Sequence, residues 1–152
     1  MSKLMTTLSQ VHAMLPDSQL VHADKESARV IPIACVGSDS RQIQPGELFI
    51  ALSGERFDAH HFLGEVATAG ASAALISDKE ACPENLPAVY VQDTKQALGE
   101  LAKAWRAQFS IPVALVTGSN GKTTVKEMIA SIFRAAAGED HTLVTRGNFN
   151  ND

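Results

Sequence analysis

The chain has few cysteines, few aromatic residues, no excess of basic residues and no long apolar run. Its 152 residues include two cysteines, Cys35 and Cys82, and only 5% of its residues are aromatic. Two widely spaced cysteines are typical of a reduced protein and not of a secreted domain held together by disulfides. The formal net charge of −4 argues against a nucleic-acid partner, because the sequence has no basic stripe that could displace the counterions of a nucleic-acid backbone.

No apolar stretch approaches the roughly 20 residues that a membrane-spanning helix needs. The N-terminal residues also lack the apolar core of a signal peptide. We therefore expect no membrane insertion and a cytoplasmic location. The composition, 45% hydrophobic and 20% charged, is typical of a globular protein.

The order of apolar patterns predicts an α/β fold. Helices are predicted over residues 6–15, 61–69, 94–109 and the run that follows Lys122, and strands over residues 19–23, 29–36, 47–52, 73–77, 88–92 and 113–116. We predict two domains, a small α/β domain over residues 1–92 and, over residues 93–152, a connecting helix with the opening segment of a parallel-sheet nucleotide-binding domain.

The strongest functional pattern joins an apolar run, a glycine turn and an amphipathic helix over residues 112–137. This order is typical of a phosphate-binding loop. Gly118 and Gly121 allow backbone N–H groups to point at one anion, and the helix start adds further donors. The candidate nucleotide-binding residues are Thr117, Gly118, Ser119, Asn120, Gly121, Lys122, Thr123 and Thr124.

Two residues of this loop are candidate catalytic residues. Lys122 would bring a positive charge to the β and γ phosphates, and the Thr123 hydroxyl would hold Mg²⁺ through the nucleotide. The general phosphate-loop pattern has a glycine where Val116 stands. A glycine-rich turn before a helix can also be only a tight connection.

Two loops of the first domain are rich in polar residues, and one of them suits a sugar nucleotide. The loop over residues 53–62 combines a glycine, an arginine, an aspartate, two histidines and two aromatic residues. These side chains could supply donors for phosphate, an aromatic face for a base and a carboxylate for hydroxyls. The other loop is Asp39-Ser40-Arg41, which taken alone is typical of a solvated turn.

These stretches together resemble the Mur ligases, ATP-dependent enzymes that add amino acids to the UDP-linked muramoyl peptide of the bacterial cell wall. The resemblance is carried by residues 39–52, 54–60 and 117–124, and the shortened phosphate loop is the form that this family uses. Residues 54–60, with 125–128 and 147–151, most resemble the members that add D-Ala-D-Ala to UDP-MurNAc-tripeptide.

The resemblance implies the amino-terminal portion of a three-domain ligase that uses ATP and Mg²⁺. In such a ligase the peptide carboxylate becomes an acyl phosphate, which the amine of the incoming dipeptide attacks. The first domain would bind the uridine nucleotide. The implied substrate-binding residues are Asp39, Ser40, Arg41, Gly54, Arg56, Phe57, Asp58, His60, Asn148 and Asn150.

Three alternatives stay open at this point. They are a ligase that adds the third residue of the peptide, a folylpolyglutamate-type relative, and a non-catalytic fragment that binds only the uridine nucleotide. The Asp-Ser-Arg and Gly-Glu-Arg-Phe-Asp stretches favour a muramoyl substrate over folate. Only residues 138–152 follow the last predicted helix, so we expect a chain that is cut short and inactive by itself, and we assume a monomer.

Overall fold

The computed structural model describes residues 4–54 and 57–145. The chain divides into two compact units, Met1–Phe109 and Ser110–Asp152. The helix Thr94–Arg106 groups with the first unit, although the sequence pattern assigned it to the second domain. None of the helices within the described ranges has the length and hydropathy of a membrane span.

The first unit alternates short strands with helices, which confirms the predicted α/β class. Its strands are β1 (Thr6–Thr7), β2 (Gln19–Val21), β3 (Pro32–Ile33), β4 (Cys35–Gly37), β5 (Glu47–Ile50), β6 (Ser53–Gly54), β7 (Phe57–Asp58), β8 (Ala73–Ile76) and β9 (Ala88–Tyr90). Its helices are α1 (Leu8–Ala13), α2 (Ser27–Val30), α3 (Leu63–Ala69) and α4 (Thr94–Arg106), with 3-10 turns at Ser40–Gln42 and Ala59–Phe62.

A five-stranded mixed sheet forms the centre of this unit. Its strand order is β2-β9-β8-β5-β4. The four strands from β9 to β4 run parallel to one another, and β2 lies antiparallel to β9 at one edge. The carboxyl ends of β4, β5 and β8 therefore lie along one edge of the sheet, which we call the carboxyl edge.

Both faces of the sheet are covered, so the central strands β5 and β8 are buried at every position. Successive side chains of a strand point to opposite faces, and the two core clusters follow this alternation. One face packs Leu48, Ile50, Ala73 and Leu75 against residues of α1 and α4. The other face packs Phe49, Ala51, Ala74 and Ile76 against residues of α3.

Local capping signals set the ends of three helices, as the sequence predicts. The Thr7 hydroxyl accepts from the Gln10 N–H and begins α1 as part of a capping box. The Asp93 carboxylate accepts from the Gln96 N–H and begins α4. Gly70, with φ 101°, ends α3 in the left-handed conformation that glycine adopts at low cost.

The predicted strand over residues 29–36 is wrong in its first part. The Asp24 carboxylate accepts from both the N–H and the hydroxyl of Ser27, each at 2.7 Å, and this local bonding starts the helical turn α2. Pro32 then lies in β3, which pairs with β1 outside the central sheet. Only the end of the predicted run joins the central sheet, as β4.

The second unit contains the long helix α5 (Lys122–Ala137), as predicted, and a 3-10 turn at Glu139–His141. The predicted strand over residues 113–116 is wrong, because this run has no regular structure. Leu115 is 93% exposed and Val113 is 59% exposed. A buried strand needs paired neighbours and covered faces, and no described strand pairs with this run.

Candidate functional site

A small hairpin follows β5 at the carboxyl edge and carries three of the predicted substrate residues, Gly54, Phe57 and Asp58. Strands β6 and β7 pair Gly54 with Phe57 and Ser53 with Asp58. The Phe57 ring is 55% exposed and stacks on the Phe62 ring, with 5.8 Å between centroids and 20° between planes. An exposed ring that is supported from behind can stack on a planar base.

The turn after the hairpin buries His60 between two partners. Its Nδ1 lies 2.6 Å from Asp58 Oδ1, and its Nε2 lies 2.9 Å from the backbone N of Ser77. The His60 backbone N–H also donates to Asp58 Oδ1, at 3.0 Å. This backbone bond, followed by the side-chain bond from His60, lowers the pKa of Asp58, so Asp58 is a carboxylate at neutral pH.

The neighbouring loop at this edge begins where β4 ends and contains Asp39, Ser40 and Arg41. Asp39 begins the 3-10 turn by accepting from the Arg41 backbone N–H. The Arg41 guanidinium donates to both Asp39 oxygens, at 2.8 and 2.9 Å. This bidentate pairing holds the pKa of Asp39 well below its usual range and raises the pKa of Arg41.

Arg41 remains available to a ligand despite this pairing, because 84% of its side chain is exposed. A guanidinium has five N–H donors, and the Asp39 pairing uses two of them in side-chain bonds. The loop can therefore offer donors to a phosphate while Asp39 holds the arginine in place. The parallel pairing of β4 with β5 puts this loop beside the hairpin on the carboxyl edge, where ligands of open α/β sheets bind.

The predicted phosphate loop lies in the second unit and leads directly into α5. Gly118 has φ 141° and Gly121 has φ 74°, both in the region that favours glycine. Gly121 is the N-cap of α5 and has no side chain with which to cap the helix. The first amides of an α-helix have no acceptor within the helix, so they can donate to an anion.

Lys122 is the first residue of α5 and folds back over this turn. Its Nζ donates to the Gly118 carbonyl oxygen at 2.5 Å. The ammonium group therefore lies over the same turn that supplies the amide donors. A positive charge, a helix start and two glycines with positive φ are together the chemical requirements of a phosphate site.

The structure places the predicted site residues in three groups. Gly54, Phe57, Asp58 and His60 share the hairpin and turn after β5, residues 39–41 share the turn after β4, and residues 117–124 share the start of α5. The predicted substrate residues Arg56, Asn148 and Asn150 lie outside the described residues. Ser77 was not among the predicted site residues, although its position directly after strand β8 marks it as a residue of the carboxyl edge.

Comparison with known protein families identifies two consecutive matches. Residues 32–106 match the Mur ligase family, catalytic domain, and residues 116–152 match the Mur ligase middle domain. The chain is 44% identical over 146 residues to the UDP-N-acetylmuramoyl-tripeptide--D-alanyl-D-alanine ligase of Escherichia coli (strain K12). This match covers 96% of the chain and 30% of the relative, so the chain spans about a third of the length of that ligase.

Solved structures give the same result. MurF from Acinetobacter baumannii matches 97% of the chain with a TM-score of 0.84 and 37% identity, over 31% of its own length. MurF ligase from Thermotoga maritima, solved in complex with ADP, matches 66% of the chain with a TM-score of 0.59 and 32% identity, over 23% of its own length. Sequence and structure agree on one assignment, and the chain belongs to the Mur ligase family.

Proposed function

We propose that this chain carries the uridine-nucleotide site and the phosphate loop of an ATP-dependent ligase that adds D-Ala-D-Ala to UDP-MurNAc-tripeptide in peptidoglycan precursor synthesis. The observation that carries the proposal is the start of α5, where Lys122 folds over a turn with two positive-φ glycines in a chain of this family. The name of the Escherichia coli relative supports the choice of substrate. On this proposal the protein acts in the bacterial cytoplasm.

The first unit would bind the muramoyl substrate at the carboxyl edge. The exposed Phe57 ring offers a stacking surface for the uracil, and the Asp58 carboxylate is an acceptor for hydroxyl or imino donors. Arg41, held by Asp39, would donate to the phosphates. These roles match the two functional parts of a sugar nucleotide, a planar base and a charged diphosphate.

The second unit would bind ATP at the start of α5. Its amide donors and the Lys122 ammonium would face the phosphates, and Thr123 would hold Mg²⁺ through the nucleotide. When bound, Mg²⁺ would neutralise part of the negative charge of the phosphates. The donor set fits this group, because hydroxyl oxygens are the hard ligands that Mg²⁺ prefers and residues 123 and 124 are both threonines.

The chemistry of ligation explains why this loop concentrates positive charge. The substrate carboxylate must approach the γ phosphate, so two anions come together before the acyl phosphate can form. Lys122 and the α5 amides reduce this repulsion by balancing the phosphate charge in a fixed geometry. We propose Lys122 and Thr123 as catalytic residues for this reason.

The test is the affinity of the chain for Mg-ATP, measured by isothermal titration calorimetry. In Lys122→Ala the charge-assisted contact to the phosphates is lost, and we expect binding to weaken by about 1.5–3 kcal/mol, or about tenfold or more. Lys126→Ala is the matched control, because it removes the same charge one turn further along α5. The Nζ of Lys126 donates to the Thr145 carbonyl oxygen, at 2.6 Å, and not to the turn before α5.

We expect the affinity of Lys126→Ala for Mg-ATP to stay within about threefold of the unsubstituted chain, because Lys126 lies outside the first turn of α5 and its charge is already paired with Glu127, at 3.0 Å. Equal weakening in the two variants would show a general charge effect and no specific phosphate contact. Unchanged affinity in Lys122→Ala would contradict the role proposed for this lysine.

A further inference from the structure

His60 is buried at the carboxyl edge, between the Asp58 carboxylate and the backbone N–H of Ser77. Only 3% of the residue is exposed, although Phe57, three residues earlier, is 55% exposed. The ring lies in the 3-10 turn Ala59–Phe62, behind the hairpin. A side chain with this burial presents almost no surface to a ligand.

Both ring nitrogens of His60 are occupied by protein partners. The backbone N–H of Ser77 can only donate, so Nε2 must accept the bond of 2.9 Å between them. The proton of the neutral ring is therefore on Nδ1, which donates to Asp58 Oδ1 at 2.6 Å. The Ser77 amide thus fixes one tautomer, and that tautomer fixes the direction of the Asp58 carboxylate.

Asp58 combines a fixed side and an open side. Oδ1 accepts from both the backbone N–H and the ring of His60, at 3.0 and 2.6 Å. None of the described residues donates to Oδ2, and 39% of the side chain is exposed. A carboxylate oxygen held in this way can accept a hydrogen bond from a ligand without first losing rotational freedom.

We propose that His60 is a positioning residue for substrate binding. The Ser77 amide, directly after β8, holds the His60 ring, and the ring holds Asp58. The outer oxygen of Asp58 then accepts a hydrogen bond from a hydroxyl or imino N–H of the uridine nucleotide. His60 itself does not touch the ligand. This inference rests on the proposed function and deepens it, because it separates the residue that contacts the nucleotide from the residue that orients it.

The test is a double-mutant cycle on the affinity of the chain for UDP-MurNAc-tripeptide. His60→Gln retains an acceptor for the Ser77 amide but loses the donor to Asp58, and we expect affinity to fall about tenfold. Asp58→Asn should lower affinity at least as much. If His60 acts only through Asp58, the double variant binds no more weakly than Asp58→Asn alone.

The positioning role would be overturned if the fold-loss of affinity in the double variant equalled the product of the two single losses. That result would mean that His60 contributes to binding independently of Asp58. His60→Asn is the rescue variant. Its Nδ2–H can donate to Asp58 in place of Nδ1–H, so it should bind more tightly than His60→Gln. Weaker binding by His60→Asn than by His60→Gln would also overturn the proposal.

Two controls separate folding and function from the positioning role. The amide NMR spectra of the variants should keep the peak dispersion of the unsubstituted chain, and a general loss of dispersion in the first unit would overturn the proposal as a folding defect. The imidazole ¹⁵N shifts of His60 should show a protonated Nδ1 and an unprotonated Nε2 without ligand. A proton on Nε2 instead of Nδ1 would overturn the positioning role of His60. A proton on Nδ1 in a chain that binds no uridine nucleotide would overturn the proposed function instead.

Discussion

Buried polar side chains at single positions connect the helices to the carboxyl edge. Thr94, the first residue of α4, is only 3% exposed. Its hydroxyl donates to the backbone carbonyl of Ala51 at 2.9 Å. Ala51 directly follows β5 and leads into the hairpin that carries Phe57 and Asp58, so this bond ties a helix start to the backbone beneath the proposed substrate site.

Thr94→Val is expected to destabilise the chain because it keeps the shape of the side chain but removes the donor to a buried carbonyl. The cost of such an unpaired group is about 1–3 kcal/mol. Thr94→Ser is the matched control. It keeps the hydroxyl and loses one methyl group, which costs about 1 kcal/mol. Urea unfolding measures both values, and a valine variant no less stable than the serine variant would contradict the importance of this bond.

The family resemblance grouped residues 39–41 with residues 54–60, but neither it nor the residue types indicated which of these side chains face outward. The mixture of residue types in 53–62 predicted a binding loop after a strand; the structure places this segment after β5, and its binding role stays a prediction. The burial of His60 depends on Ser77, which is 17 residues away in the chain. A contact of this kind depends on the pairing of β5 with β8, and no local pattern carries that information.

At the level of elements, local signals predicted helices well and isolated strands poorly. Caps such as Asp93 and Gly70 act within a few residues, so the sequence reveals where α3 and α4 begin or end. The run over residues 113–116 has the composition of a strand, but a strand is stabilised by its neighbours. Where no described strand pairs with it, apolar composition alone does not produce a strand.

Two glycines separate the effect of backbone conformation from the effect of packing. A Cβ added at Gly99, within α4, or at Gly70, after α3, would meet nothing within 4 Å. The two sites differ in backbone conformation, since Gly70 has φ 101° and Gly99 is helical. We expect Gly99→Ala to stabilise the chain by about 0.5–1 kcal/mol and Gly70→Ala to destabilise it by about 1 kcal/mol.

Each variant is the control for the other, because both add the same methyl group to open space. Urea unfolding of the two variants and the unsubstituted chain gives the two free energy changes. Changes of the same sign would mean that packing or the unfolded state, and not the left-handed conformation at Gly70, determines the effect.

At the level of the whole molecule, the order of the sheet determines which loops meet. Strand β2 pairs with β9, although residues 22–87 lie between them, and the sequence pattern did not predict this pairing. The succession β4, β5, β8 in one parallel sheet puts the loops after these strands on one edge. The proposed uridine site is thus a consequence of topology, since residues 39–41, 57–60 and 77 all follow strands that end at this edge.

The two proposed sites predict that each ligand shifts a different set of amide signals. In an amide NMR titration with UDP-MurNAc-tripeptide, we expect shifts at Ser40, Phe57, Asp58 and Ser77, because these amides surround the carboxyl edge. Mg-ATP should instead shift the amides at the start of α5, where the phosphate donors lie. The two ligands therefore serve as controls for each other in the same sample.

The opposite edge of the sheet provides an internal control for this titration. Glu47, Ala73 and Ala88 begin β5, β8 and β9, so their amides lie at the amino ends of the parallel strands. A ligand at the carboxyl edge should leave them unshifted, because each strand separates its two ends by about 10 Å. Shifts at these three amides, with none at Phe57 or Asp58, would place the nucleotide at the amino ends of the strands and refute the assignment of the uridine site.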